Sequence, residues 1–430
     1  MMINHQSREN FDFDKERLAT YVNIFSFPRL AGTEGERKAV NLTVSTFKEK
    51  GFEINQIYSQ NFDFSTFYSK VMIKLIILMN LIFVSVILLI KILYRFLTFI
   101  SILILLIIFF SMLKALKHPE LKGFWEKYFG KFFSATNVFV KIPAINGSIK
   151  KVGNIIVSAH LDSKSQTFKT FWRIIFARLW LFSEIILFSF YTIYLIDYHF
   201  LTEHLKPFVT FVEILILIST ILTVISNFLL LILRIGNNSR GSLDNATGMS
   251  IVFELSNFFK NHPLDNFNLW FCQFSAEELG TMGSREFLDL YEDEFSKDYT
   301  YQINFDMISD SNNNKNLIQY IKSYGLIPPK KISPILSDYF KKAAKIENVE
   351  YNGFHVLLGA HTDSVPFHLR KFDSIDITTK SAAYYTHSLE DTPDKIDFQI
   401  LLEACKVTQI LITLLDKNFK NITNSKLNME

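Results

Sequence analysis

Cysteine is scarce in this chain of 430 residues, which contains only Cys272 and Cys405. Two thiols cannot build the disulfide framework of a small secreted domain, so that class of protein is excluded. Cys272 falls in an apolar run typical of a buried strand, and Cys405 in a pattern typical of a C-terminal helix. We therefore expect two buried thiols, which fits a reducing compartment.

A concentrated charge of either sign is also missing. The chain has 45 basic and 42 acidic residues, for a formal net charge of +3, and the basic residues are spread out rather than massed in one run. Nothing in this distribution indicates a nucleic-acid partner, and we expect none. The first 17 residues are polar and contain no apolar core of a signal peptide, so we also expect no cleaved secretion signal.

Long apolar runs are what the chain has in excess, since hydrophobic residues make up 49% of the sequence and charged residues only 20%. The excess is concentrated in two blocks, and each block contains two runs that approach the ~20 residues needed to span a bilayer. Apolar residues fill every face of these runs, which disfavours helices lying in the membrane plane. Buried core helices are the other alternative. We expect an integral membrane protein with four transmembrane helices in two hairpins, 75–90 with 96–113 and 179–196 with 208–233.

Each hairpin returns the chain to the side from which it started. Segments 1–70, 117–171 and 236–430 can therefore form one domain, interrupted by the hairpins at 71–116 and 172–235. Positive charge near span ends favours the cytoplasmic face, so the charge distribution predicts a cytoplasmic domain. Eight basic residues flank the spans on the domain side and three lie in the far-side turns: Lys70, Lys74, Lys114, Lys117, Arg173, Arg178, Arg234 and Arg240, against Lys91, Arg95 and Lys206.

Two carboxylates, Glu184 and Glu213, lie inside the second block. Charged side chains within a membrane are functional candidates by default. Each lies about one and a half turns from the start of its expected span, which puts the two near opposite faces of the bilayer. This arrangement disfavours a shared ion site, and we expect carboxylates near the span ends that reach polar surroundings.

Outside the blocks, strand patterns alternate with helix patterns, which predicts an α/β fold. Five short segments there carry a His or a carboxylate of the kind that binds divalent zinc, although any one alone would be a weak signal. Four of the five follow an apolar run typical of a strand, and sites in open α/β sheets gather at the carboxyl ends of strands. The candidate residues are His160 with Asp162, Asp244, Glu277 with Glu278, Asp306, and His387.

Each candidate also has an ordinary structural interpretation. Asp244 could cap the helix that follows it, Asp306 could be a turn residue, and the adjacent Glu277 and Glu278 could be solvated surface carboxylates. In the functional interpretation, Asp244 bridges two metals, Glu278 is a ligand and Glu277 is the general base. Two His and three carboxylates suit a pair of zinc ions.

Together the segments resemble those of the M28 metallopeptidases, the zinc aminopeptidase clan. The resemblance runs from 28–33 to 386–394 and covers most of the chain outside the apolar blocks. It implies a mixed central sheet flanked by helices, two zinc ions and a peptide substrate. By this resemblance the two zinc sites are His160, Asp244 and Asp306, and Asp244, Glu278 and His387, with Glu277 as general base and Asp162 as a supporting carboxylate.

Two features depart from the family pattern. The loop between His160 and Asp244 is usually short, whereas here it holds the second hairpin, and Ser364 stands where the family often has His. A hairpin inserted between two ligands predicts an active site near the bilayer surface and membrane-proximal peptide substrates. A single-zinc glutaminyl cyclase and an inactive M28-like membrane receptor or scaffold remain open as alternatives, as do the exopeptidase type and the oligomeric state.

Overall fold

The chain divides into two compact units in the computed structural model. The first takes in residues 1–64, 132–165 and 236–430, and the second takes in 65–131 and 166–235, which contain the two apolar blocks. The residues that the structure describes are 13–89, 100, 103–104, 107–108, 110–111, 130–147, 152–200, 208–309, 317–325, 330–357 and 362–419.

The described residues form eleven strands and ten α-helices. The strands are β1 Ile57–Ser65, β2 Phe132–Ile142, β3 Gly153–His160, β4 Ser165–Gln166, β5 Ile235–Gly236, β6 Phe267–Phe274, β7 Thr300–Phe305, β8 Leu317–Tyr324, β9 Lys330–Lys331, β10 Glu350–Val356 and β11 Asp373–Ile377. The helices are α1 Lys15–Phe25, α2 Glu34–Glu49, α3 Ile73–Leu88, α4 Thr170–Phe200, α5 Val209–Leu231, α6 Thr247–Asn261, α7 Met282–Tyr291, α8 Pro334–Ile346, α9 Ser364–Leu369 and α10 Phe398–Lys417.

A mixed sheet of nine strands forms the centre of the first unit, in the order β1-β2-β6-β3-β7-β11-β8-β10 with β9 paired to β8. The central strand β3 runs parallel to β6 on one side and to β7 on the other. Strands β2 and β8 run antiparallel to their neighbours β6 and β11. All eight residues of β3 are buried, as expected for a strand covered on both faces. The expected α/β fold with a mixed central sheet is confirmed.

Helices cover the sheet on both faces. Along β3, Ile155 and Val157 belong to a large apolar core shared with α1, α6, α8 and α10. The intervening Ile156 belongs to a smaller cluster with residues of α7 and α9. Successive side chains of a strand point to opposite faces, so the two clusters mark the two sides of the sheet. Cys272 and Cys405 lie in these clusters as free, buried thiols, and burial raises the pKa of both well above the usual value.

Four helices among the described residues are long and apolar enough to cross a membrane, on length and composition alone. Three lie in the second unit, at Phe67–Val86, Thr170–Tyr194 and Thr210–Leu231. The fourth is α10, but Leu401 and Leu411 of that helix are fully buried in the sheet core, which is how a core helix packs. The expected turn at 91–95 and most of the expected span at 96–113 lie outside the described residues.

The second unit corrects the expected place of Glu184. Helix α4 begins at Thr170, so Glu184 lies about four turns into it rather than one and a half. The side-chain amide of Asn80 on α3 donates a hydrogen bond to the Glu184 carboxylate, and Asn227 Nδ2 of α5 donates to Asn80 Oδ1 at 2.8 Å. The polar partner of Glu184 is therefore an amide on a neighbouring helix, in a node that joins three apolar helices.

Candidate metal centre

Three neighbouring strands bring candidate ligands to one edge of the sheet. His160 is the last residue of β3, Asp306 follows β7 directly, and Glu277 and Glu278 come shortly after β6. Since β6, β3 and β7 are parallel neighbours, their carboxyl ends lie side by side. These three segments therefore lie at the strand ends at which the sequence patterns predicted them, and their role as metal ligands stays a prediction.

Asp244 and His387 reach the site from irregular segments. Helix α6 starts at Thr247 with Ala246 as its N-cap, so the alternative in which Asp244 caps this helix is wrong. The expectation of a strand before His387 is also wrong, because residues 380–384 form a 3₁₀ turn. His387 itself has φ +63°, a conformation that non-glycine residues rarely adopt and that no strand pattern predicts.

The five ligand candidates form two triads that share Asp244. Its Oδ1 lies 3.1 Å from His160 Nε2, while its Oδ2 lies 3.1 Å from His387 Nε2. Asp306 Oδ1 lies 3.4 Å from the first imidazole, and Glu278 Oε2 lies 3.1 Å from the second. Within each triad the ligand atoms lie within 4.8 Å of one another, and all five residues are buried.

This donor set fits zinc. Imidazole nitrogens and carboxylate oxygens are the ligands that zinc takes in catalytic sites, usually three from the protein. Glu278 Oε1 is buried and has no hydrogen-bond partner, which leaves one carboxylate oxygen available to an ion. The two oxygens of Asp244 face different imidazoles, as a bridging carboxylate requires.

Asp162 supports the site in two ways. Its backbone oxygen lies 3.1 Å from His160 Nδ1, which fixes the ring so that Nε2 faces the carboxylates. Its side chain accepts hydrogen bonds from the backbone amides of Glu277 at 3.1 Å and Glu278 at 3.3 Å. The closest contact with the imidazole thus comes from the main chain, with the carboxylate Oδ1 also 3.7 Å from Nδ1. The carboxylate in addition holds the next candidate ligand segment.

Burial and neighbouring charges set the protonation of the carboxylates. Burial raises the pKa of Glu277 well above its usual value, and the negative charges of Glu278 and Asp306 raise it further. Burial also raises the pKa of Asp306, to about 6. For Glu278 burial acts in the same direction, but His387 and Lys164 hold its pKa at about 2.

Lys164 is a site residue that the sequence did not identify. It is almost fully buried, with Nζ 2.7 Å from Glu278 Oε2 and 3.2 Å from the backbone oxygen of the same residue. The one signal available was its position two residues after Asp162, on the same segment. The structure therefore places a lysine ammonium against a candidate ligand.

Ser364, which stands at the departure from the family pattern, lies in a buried polar network. Its hydroxyl and that of Thr362 donate to the carboxylate of Asp376, which also accepts from Asn304 at 3.1 Å. Asn304 is two residues before Asp306, on β7. Ser364 thus helps to hold β7 and β11 together, and His361 of the same stretch lies outside the described residues.

Sequence comparison finds a peptidase family over part of the chain. Residues 228–409 match Peptidase family M28, and this range holds Asp244, Glu278, Asp306 and His387. The aminopeptidase YwaD of Bacillus subtilis (strain 168) is 26% identical over 173 residues, which are 39% of this chain and 36% of YwaD. Over these residues the chain is similar to M28 peptidases and to an aminopeptidase. The match spans about a third of that relative's length.

Several solved structures align over nearly the whole chain. The glutaminyl cyclase of an Acidobacteriales bacterium gives a TM-score of 0.53 at 15% identity, covering 97% of this chain and 99% of that one. BSAP, a zinc aminopeptidase from Bacillus subtilis, gives a TM-score of 0.52 at 14% identity, covering 94% and 95%. At these identities the likeness shows the fold, a mixed central sheet flanked by helices, and not the activity.

Proposed function

We propose that this chain is a membrane-anchored, two-zinc metallopeptidase that hydrolyses peptide bonds as an aminopeptidase. The observation that carries the proposal is the placement of Asp244, whose two oxygens each lie 3.1 Å from a different imidazole. The match to Peptidase family M28 and the similarity to the aminopeptidase YwaD support the choice of reaction, and the gathered donor set supports zinc.

Two sets of residues would hold the metal. Bound zinc would supply Lewis acidity and a lowered pKa for water at the site. The chain contributes candidate ligands that already lie close together and are shielded from solvent, since all five are buried in the described structure. The first set is His160, Asp244 and Asp306, and the second is Asp244, Glu278 and His387.

Glu277 is the proposed general base. Its burial and the nearby carboxylates raise its pKa, and a carboxylate of raised pKa is a stronger acceptor for the proton of a water molecule. It would take a proton from the attacking water and deliver it to the departing amine. The hydrogen bond from its backbone amide to Asp162 fixes the chain at this position.

The test is a zinc count combined with a fluorogenic aminoacyl-coumarin assay on the purified full chain in detergent. Two zincs per chain and hydrolysis that a chelator abolishes would support the proposal. One zinc with cyclisation of an N-terminal glutamine would identify a glutaminyl cyclase instead. Absence of both activities in zinc-loaded protein would leave the receptor or scaffold alternative.

The membrane part of the proposal rests on the second unit. Helices α4 and α5 expose a continuous series of large apolar side chains, which costs free energy in water and is favourable in lipid. Extraction of membranes with alkaline carbonate tests it, because a spanning protein stays with the lipid. The exposed side chains include Phe182, Ile185, Phe188, Phe211, Ile214, Leu217, Ile221 and Phe228.

Chain connectivity and the charge distribution support a membrane-proximal, cytoplasmic catalytic unit. Residues 161–169 join His160 directly to α4, a helix that we propose to span the membrane, and this connection supports a membrane-proximal role for the site. Substrates would then be membrane-proximal peptides. The excess of basic residues on this side of the spans supports a cytoplasmic location for the unit. Since the native thiols are buried, a cysteine at the exposed Glu53 can report the orientation through an impermeant maleimide, which should leave intact cells unlabelled.

A further inference from the structure

The loop that carries Asp244 is held on its carbonyl side by a buried arginine. Arg29 is fully buried, and its guanidinium donates to the backbone oxygens of Arg240 at 2.6 Å and Gly241 at 2.7 Å. Its Nε donates to the oxygen of Leu161, next to His160, at 2.6 Å. One cation thus joins the loops of two candidate ligands.

Gly241 allows this close approach. It has φ +61°, and a Cβ there would lie 2.4 Å from the side chain of Ser163 and 2.9 Å from Arg29 Nη1. Both the backbone conformation and the packing therefore require glycine.

The same loop is held on its amide side by a buried aspartate. Asp391 is fully buried, and its Oδ1 accepts from the amide of Leu243 at 2.6 Å while Oδ2 accepts from the amide of Asp244 at 3.3 Å. Asp391 follows His387 by four residues, so the bonds also tie the segment of one ligand to the backbone of another.

The two contacts complement each other. Peptide carbonyls of the loop point to a positive group and its amides to a negative one, and charge-assisted bonds of this kind are about twice as strong as neutral ones. Burial makes each charge costly without its partner groups, so removing one side leaves polar groups of the other unsatisfied.

We propose that Arg29 and Asp391 are positioning residues that clamp the loop 240–244 and thereby set the place of Asp244 in both metal sites. The inference rests on the proposed metallopeptidase function. Because Asp244 is shared, disturbing the clamp should weaken both zinc sites together. Removing a residue that supports a ligand from behind typically costs about 10–100-fold in metal affinity.

The chain offers a matched control in Asp416. This buried aspartate also accepts from two consecutive backbone amides, those of Asp265 at 3.1 Å and Asn266 at 2.8 Å. That loop precedes β6, whose opposite end leads to Glu278, so roughly 26 Å of strand separates the control from the site. Asp391→Asn and Asp416→Asn thus remove equivalent bonds near the site and far from it.

The experiment uses the full chain in detergent and measures zinc affinity by chelator competition, with Co²⁺ absorption as a spectroscopic report of ligand geometry. We expect Asp391→Asn to weaken both sites by about 10–100-fold and to change the Co²⁺ bands. Asp416→Asn should lower the thermal midpoint of the metal-free chain and leave affinity and bands unchanged. Arg29→Lys keeps the charge but loses the planar set of donors, so it should weaken zinc as well; it carries the test if Asp391→Asn does not fold.

The outcomes separate this inference from the proposed function. If the wild-type chain binds no zinc, both fail. If the wild type binds two zincs and Asp391→Asn binds them within twofold of wild type with unchanged Co²⁺ bands, the clamp alone is wrong. Equal losses of zinc affinity in the Asp391 and Asp416 variants would also contradict it, since the effect would then be one of general stability.

Discussion

Lys164 Nζ lies 2.7 Å from Glu278 Oε2, so an ammonium group contacts a carboxylate that we assign to the second zinc site. His387 Nε2 approaches the same oxygen at 3.1 Å, while Oε1 has no partner. The lysine therefore lowers the negative charge available to a metal and leaves one oxygen of Glu278 for it.

Replacing Lys164 by Met should lower the stability of the metal-free chain and raise its affinity for zinc. The metal-free chain should lose on the order of 3 kcal/mol, because a buried carboxylate loses its partner. Zinc affinity of the second site should rise roughly tenfold, because a like charge near the ion is gone. Calorimetric melting with and without zinc measures both quantities, and zinc should raise the melting midpoint more in the variant than in the wild type.

The control is Lys322→Met, which replaces an exposed lysine. A variant that binds zinc more weakly would show that Lys164 supports the ligand rather than competes with the ion.

Glu277→Gln tests the assigned base. The amide keeps the size of the side chain but cannot accept the proton, so kcat should fall by about 10²–10⁴-fold. Zinc content should stay at the wild-type value, since Glu277 belongs to neither triad. The exposed Glu34→Gln should change neither quantity. Turnover near that of the wild type in the Glu277 variant would rule out this assignment.

Glu36 should make stability depend on pH. It is buried, accepts hydrogen bonds from Ser275 at 2.9 Å and from the Thr136 amide at 3.1 Å, and burial raises its pKa from 4.5 to about 7. Between these values the folded state binds more protons than the unfolded state, so its contribution is present below pH 4.5 and is lost as the pH rises through about 7.

Glu36→Gln should remove this dependence, which amounts to on the order of 2–3 kcal/mol. Urea unfolding at a series of pH values measures it. The variant should gain stability relative to the wild type as the pH rises from 5 towards 8. A constant difference across that range would show that Glu36 titrates normally.

Sequence patterns predicted the positions of the candidate ligands that lie at strand ends, but not the buried groups that hold those segments. His160, Glu278 and Asp306 follow apolar runs, and parallel strands bring such positions together. His387 lies after a 3₁₀ turn at positive φ, so its place depends on tertiary contacts that no local pattern records. For the same reason, the roles of Arg29 and Lys164 became visible only with the partners that they meet from distant segments.

The polar node of the second unit gives the last prediction. Asn80 donates to Glu184 and accepts from Asn227, so it joins α3, α4 and α5. Interhelical hydrogen bonds among apolar helices contribute about 0.6–2 kcal/mol, since no water competes for the donors. Asn80→Leu should therefore lower the thermal midpoint in detergent micelles, followed by tryptophan fluorescence. Ser85→Ala on the same helix should have little effect, because that hydroxyl donates to Leu81 of its own helix. If the Asn80→Leu variant were as stable as Ser85→Ala, packing of apolar side chains alone would hold the three helices together, and the hydrogen bond to Glu184 would not contribute to stability.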